Sequence, residues 1–148
     1  MSANVSINHP KQRLLFFVAQ DVDEDVRAEV TKLIASLANA RRWTIHPPRL
    51  IDTIDDIGSR PQDLPDETLG GMLEIYSALS PGLPRDVDVS HLEEVQLIIR
   101  AVQAVSREKG LAFEFELDGV FVGAIEDGEM DRTLSEGLLS EWNRGGGN

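Results

Sequence analysis

Residues 113 to 125, FEFELDGVFVGAI, leave a chain few choices. Asp118-Gly119 lies between two stretches of alternating polarity, and Asp-Gly tolerates the positive φ angles that a two-residue type I′ turn requires. Such a turn fixes the register of the two strands. Leu117 then faces Val120, Glu116 faces Phe121, Phe115 faces Val122, Glu114 faces Gly123 and Phe113 faces Ala124. One face of the hairpin carries Phe113, Phe115, Leu117, Val120, Val122 and Ala124, which predicts a core face. The other carries Ala112, Glu114, Glu116, Phe121 and Ile125. That second face sets two carboxylates beside an aromatic and a branched aliphatic side chain. Each apolar group would gain roughly 1.5–3 kcal/mol if covered.

The stretch continues to Asp131 with seven acidic residues and no basic ones. Asp127-Gly128 predicts a second turn, and Asp131 an N-cap for a last helix with Leu134, Leu138, Leu139 and Trp142 on its inner side. Three carboxylates in Asp127-Gly128-Glu129-Met130-Asp131 lack the spaced ligands, central glycine and distant glutamate of a calcium loop. Turn and cap account for them, so no metal site is expected, and no cofactor motif occurs elsewhere.

Upstream, Arg13 to Ala19 is apolar on alternate and intervening positions, which predicts a central strand over residues 12 to 19. Asp21 with Glu24 reads as a capping box for a helix whose stripe is Val26, Val30, Leu33, Ile34 and Leu37. Residues 43 to 46 fit a short strand ended by Pro47-Pro48, and residues 49 to 58 fit either helix or strand. Leu69, Met72, Leu73, Tyr76 and Leu79 fit a helix over 66 to 79, although Gly70-Gly71 weakens it by about 1 kcal/mol per glycine. Ser90 and Glu93 predict a capped helix over 90 to 109 with Leu92, Val95, Ile98, Ile99, Val102 and Val105 inward and Gly110 at its end.

The expected fold is α+β: an antiparallel sheet of three to four strands with about four helices, at 22–41, 66–79, 90–109 and 131–142. A single domain spans residues 12–143, between a flexible arm (1–11) and a Gly-rich tail (144–148).

A formal net charge of −12 with no basic patch argues against a nucleic-acid partner or an anionic membrane surface and favours a basic protein. The chain has no cysteine, which excludes disulfides, thiolate metal sites and a cysteine nucleophile. With no export signal and no long apolar run in the sequence, the expected location is cytoplasmic.

The expected function is a non-enzymatic acidic protein-binding module, of the kind exemplified by inhibitors and bacterial immunity proteins, which share its small, acidic, cysteine-free character. Its contact residues would be Glu114, Glu116, Phe121 and Ile125, with Asp118, Glu126, Asp127 and Glu129 at the rim. One alternative is a small hydrolase or isomerase pairing a carboxylate with His46 or His91, with His9 left in the arm. Another is a homodimeric scaffold. A second acidic stretch, Asp52, Asp55, Asp56, Asp63, Asp66 and Glu67, would enlarge the negative patch if it lies beside the hairpin.

Overall fold

The computed structural model describes residues 9–52, 68–77 and 82–138. Its centre is β1 (Lys11–Val18), flanked on one side by β3 (Leu69–Tyr76) and on the other by β4 (Phe113–Leu117), both antiparallel to it. Beyond β3 lies β2 (Arg49–Asp52), and beyond β4 lie β5 (Val120–Glu126) and the two-residue β6 (Glu129–Met130). The six-stranded sheet therefore runs β2-β3-β1-β4-β5-β6. With α1 (Glu24–Ala38) after β1 and α2 (Arg85–Lys109) after β3, the first four strands have the split β-α-β wiring of ferredoxin-like domains. The described chain ends in a π-helical turn, Leu134–Leu138.

This corrects the expected three to four strands and four helices. Among the described residues the sheet has six strands, and only α1 and α2 are helices of ordinary length. The largest difference is β3, expected as a helix over 66–79. Leu69, Gly71, Leu73 and Ile75 are buried at a period of two, and the glycines decide between the two templates. A β-carbon on Gly70 would overlap the Phe16 carbonyl, and one on Gly71 would occupy the space of the Phe16 ring and the Ile34 methyl. The glycines that weaken a helix here let a strand lie tight against β1.

Other boundaries also move. Residues 43–46 form no strand, and pairing falls on Arg49–Asp52 instead. Asp23, not Asp21, caps α1, accepting the Val26 N–H at 2.8 Å. Helix α2 starts at Arg85 after Pro84, more than a turn before Ser90, because Val87 extends its buried stripe toward the sheet. It ends as expected on Gly110 in the left-handed region (φ 69°). Asp131 caps the last turn through the Leu134 N–H at 2.9 Å, and Leu134 is fully buried. Leu139, Trp142, the tail and all of residues 1–8 lie outside the described residues. His9, expected in a loose arm, is buried against Ser77.

The core lies between the helices and one face of the sheet, contributed by Leu14, Phe16, Leu73, Ile75, Phe113, Phe115 and Ile125 and by the stripes of α1 and α2. The turn at Asp118 (φ 52°) and Gly119 (φ 83°) forms as the sequence predicts, and Leu117–Val120 and Glu116–Phe121 pair as expected. The register then shifts. Phe115 pairs with Gly123, Glu114 with Ala124 and Phe113 with Ile125, so Val122 is the extra residue of a β-bulge. Gly123 adopts φ 147°, and a β-carbon there would overlap both the side chain and the backbone of Leu134.

Gly123→Ala should therefore lower stability by about 2 kcal/mol or more, through backbone strain and overpacking together. Urea unfolding of the variant against wild type measures it.

Candidate functional site

The bulge decides which hairpin residues share a surface. Up to Phe121 the alternation is as the sequence implies, so Glu114, Glu116 and Phe121 share the sheet face opposite the helices. Past the bulge the parity inverts. Ile125, expected on that face, is fully buried in the core opposite Phe113, and Ala124 takes its place opposite Glu114. Val120 and Phe121 are two of the exposed large hydrophobic residues, at 65% and 48%.

Glu114 and Glu116 are half-buried. Burial raises the Glu116 carboxyl above its ordinary value, and the charge on Glu114 pushes it further the same way. Their cross-strand neighbours on β1 are Phe17 and Leu15. Leu15 is buried and Phe17 half-buried, so the two carboxylates lie over a largely covered apolar floor.

The expected rim divides. Asp118 stitches the turn to β1: its Oδ1 accepts the Arg13 N–H at 2.9 Å, and its own N–H donates to the Arg13 carbonyl at 3.0 Å. Glu126, Asp127 and Glu129 are exposed around the second turn, at the other end of β5, roughly 20 Å away at the usual strand rise. That turn is clamped to α2. The Ser106 Oγ accepts the Gly128 N–H at 2.9 Å, and Gln103 and Arg107 donate to the Gly128 carbonyl. The structure thus joins Glu114, Glu116 and Phe121 and leaves the second-turn acids apart. Of the second acidic stretch only Asp52 is described, and it pairs with Arg27 of α1 at 3.0 Å. Asp55, Asp56, Asp63, Asp66 and Glu67 lie outside the described residues.

A second polar cluster escaped the sequence. Glu94, fully buried on α2, has one carboxylate oxygen 2.9 Å from His91 Nδ1, while the other accepts the Thr44 N–H at 2.6 Å and its hydroxyl at 2.7 Å. Burial pushes the Glu94 carboxyl up, but the hydrogen bonds from His91 and Thr44 outweigh it and hold the group below its ordinary 4.5. His91 was expected in an exposed first turn; the earlier start of α2 places it inside. The one signal for this pair was spacing, since His91, Glu94, Val95 and Ile98 continue the inward stripe from Val87.

His46 Nε2 meets Glu74 at 2.5 Å, and its Nδ1 faces the Pro47 carbonyl at 3.0 Å. The hydrogen bond from His46 holds the Glu74 carboxyl below its ordinary value against the opposing effect of burial. A cavity of about 300 Å³ lies between α1 and the end of α2, lined by Asp25, Val26, Ala28, Glu29, Lys109 and Leu111, and no histidine reaches it. Among the described residues no group of three potential ligands is placed to hold a metal ion, and no helix is long and apolar enough to cross a membrane. No family model, curated protein or solved structure matches the chain.

Two substitutions separate the surface from the core. Ile125→Ala should cost about 2–5 kcal/mol, and Phe121→Ser should stay within about 0.5 kcal/mol of wild type, both read by denaturant unfolding. Replacing Glu94 by Gln should cost about 1–3 kcal/mol at pH 7, because Thr44 donors would then face an amide. Since the folded carboxyl of Glu94 lies below its ordinary value, its contribution is complete above pH 4.5 and fades as the pH falls through the lower folded value. The gap between variant and wild type should close over that acid range in pH-dependent melts.

Proposed function

We propose that the chain is a non-enzymatic protein-binding module that meets a basic partner through the outer face of the β4–β5 hairpin, as an inhibitor or immunity-type protein does. The observation that carries this reading is Phe121, 48% exposed and paired directly with Glu116. Water penalises exposed aromatic area, and the ionised Glu114–Glu116 pair is mutually repulsive. A partner offering a cation and an apolar surface relieves both. The net charge of −12 would speed encounter with such a partner at low salt.

Phe121 and Val120 form the apolar centre, Glu114 and Glu116 the charged ground, and Asp118 the near rim. Ile125 has no part in it. The absence of cysteine suits a reducing cytoplasm, which is where we place the protein. A hydrolase or isomerase built on His46 or His91 has less support. Each histidine does lie beside a carboxylate, yet both ring nitrogens of each are engaged and the cavity holds neither.

Affinity capture from native lysate, with wild type, Phe121→Ser and Glu116→Lys compared at low and high salt, tests the proposal. A basic protein should be retained by wild type at low salt and reduced tenfold or more by either folded variant, as expected for a central aromatic or charge anchor. Capture of the same proteins by all three, or of none by folded wild type, would overturn it. Light scattering of wild type against Phe121→Ser tells whether copies of the chain self-associate and whether that depends on this face.

A further inference from the structure

The hydrogen bonds around His91 admit one arrangement of protons. The Tyr76 backbone N–H points at His91 Nε2 at 3.1 Å, and a backbone N–H only donates. Nε2 therefore presents a lone pair, and the ring proton sits on Nδ1, where it donates to Glu94. Thr44 has given its hydroxyl proton to Glu94, so its 2.9 Å contact with Ser90 is donated by Ser90, which in turn accepts from Arg41 at 3.3 Å. The donors converge on one ionised, fully buried carboxylate.

We propose that His91 is a proton-gated fastening between α2 and the end of β3. A proton taken from solvent at Nε2 converts the acceptor into a second donor, facing the Tyr76 N–H. That bond is lost, while the Nδ1–Glu94 bond survives as an ion pair. Strand β2 pairs with β3 only from Leu69 to Met72, and at Tyr76 His91 takes the N–H, while on the other side Tyr76 stays paired with Lys11 and the Ser77 N–H with the Pro10 carbonyl at 2.8 Å.

The surroundings of Tyr76 are aromatic and cationic. From the N-terminal side, the His9 ring packs edge-on against Tyr76 at 5.8 Å and Lys11 lies over it at 5.6 Å. His91 tilts against its other flank at 5.9 Å. The charged groups facing His91 are Glu94 and, farther out, the Arg41–Glu93 pair at 3.9 Å, and Glu74 lies within reach of the Lys11 charge. His46 responds in the opposite sense. Both its nitrogens face oxygen acceptors, so a second proton completes its bonds to Glu74 and Pro47. A proton on His91 thus unfastens the Tyr76 N–H from α2, while Ser77 stays bonded to His9 and Pro10 and the Thr44–His46 segment stays attached. This device is independent of the hairpin surface.

Amide hydrogen exchange by NMR on the full chain, with ¹⁵N shifts of the His91 ring followed from pH 7.5 to 5, tests it. Protection at Tyr76, corrected for intrinsic exchange, should fall tenfold or more as His91 titrates, while Leu73 and Phe16 stay protected. In His91→Gln, whose side-chain oxygen keeps an acceptor that does not titrate, Tyr76 protection should not vary with pH. Three results would overturn the proposal: unchanged Tyr76 protection through the His91 titration, an equal loss in His91→Gln, or simultaneous loss at Leu73 and Phe16, which marks global unfolding. If His91→Gln does not fold, the wild-type comparison of Tyr76 with Leu73 and Phe16 decides alone.

Discussion

Phe16 lies across the place where Gly71 has no side chain, and Ile34 of α1 closes over the same spot. Around this contact the central strand acquires neighbours on both sides and a helix above. Gly70, one residue earlier, allows the backbone of β3 to approach that of β1 more closely than any β-carbon permits. The inward faces of β1, β3 and β4 then form one apolar surface, on which Leu14, Phe16, Leu73, Phe113 and Phe115 are essentially removed from water. At about 25 cal/mol per Å² of apolar area, side chains of this size dominate the favourable side of folding. A side chain at Gly71 would force Phe16 and Ile34 apart and open that surface at its middle.

Polar groups fix the connections that the apolar core cannot. The segment after α1 is tied to α2 through Thr44 and Glu94, and Trp43 donates its indole N–H to the Leu37 carbonyl at 3.2 Å. The β5–β6 turn is tied to the last turns of α2 through Ser106, Gln103 and Arg107. Helix α2 therefore receives a polar attachment near each end and an apolar one along its length. Buried polar groups of this kind cost free energy unless each partner is present. They specify where a loop sits more sharply than hydrophobic contact does.

How much of this was legible in the sequence varied with the physics involved. Helix α1 was plain, because Val26, Val30, Leu33, Ile34 and Leu37 fit one period and no other. The turn at Asp118-Gly119 was plain because few dipeptides tolerate its angles. Strand β3 was not, since Leu69 and Leu73 satisfy both periods and Gly70-Gly71 has opposite meanings in helix and strand. The bulge was hidden for a related reason: Gly123 signals a departure from regular pairing but not its direction. Its glycine conformation answers to Leu134, which alternation along β4 and β5 does not reveal. That single extra residue took Ile125 from the candidate surface and left Phe121 in place. The Glu94–His91 pair stayed unseen because a buried carboxylate reads as a surface one until its donors, from Thr44 in particular, are located.

The position of β1 has a kinetic consequence. The Gly128–Ser106 bond spans 22 residues, whereas the start of β1 is joined by His9 to Ser77 across 68 residues and by Arg13 to Asp118 across 105. Chain-closure entropy rises with the length enclosed, and non-local pairing is what slows small domains. The segment from α2 through β6 has its nearest contacts close in sequence and forms a platform with an open slot beside β4. Strand β1 is synthesised before β3 and β4 and must wait for them before it has both neighbours, and until then the unpaired edges of β3 and β4 are where misassociation would begin.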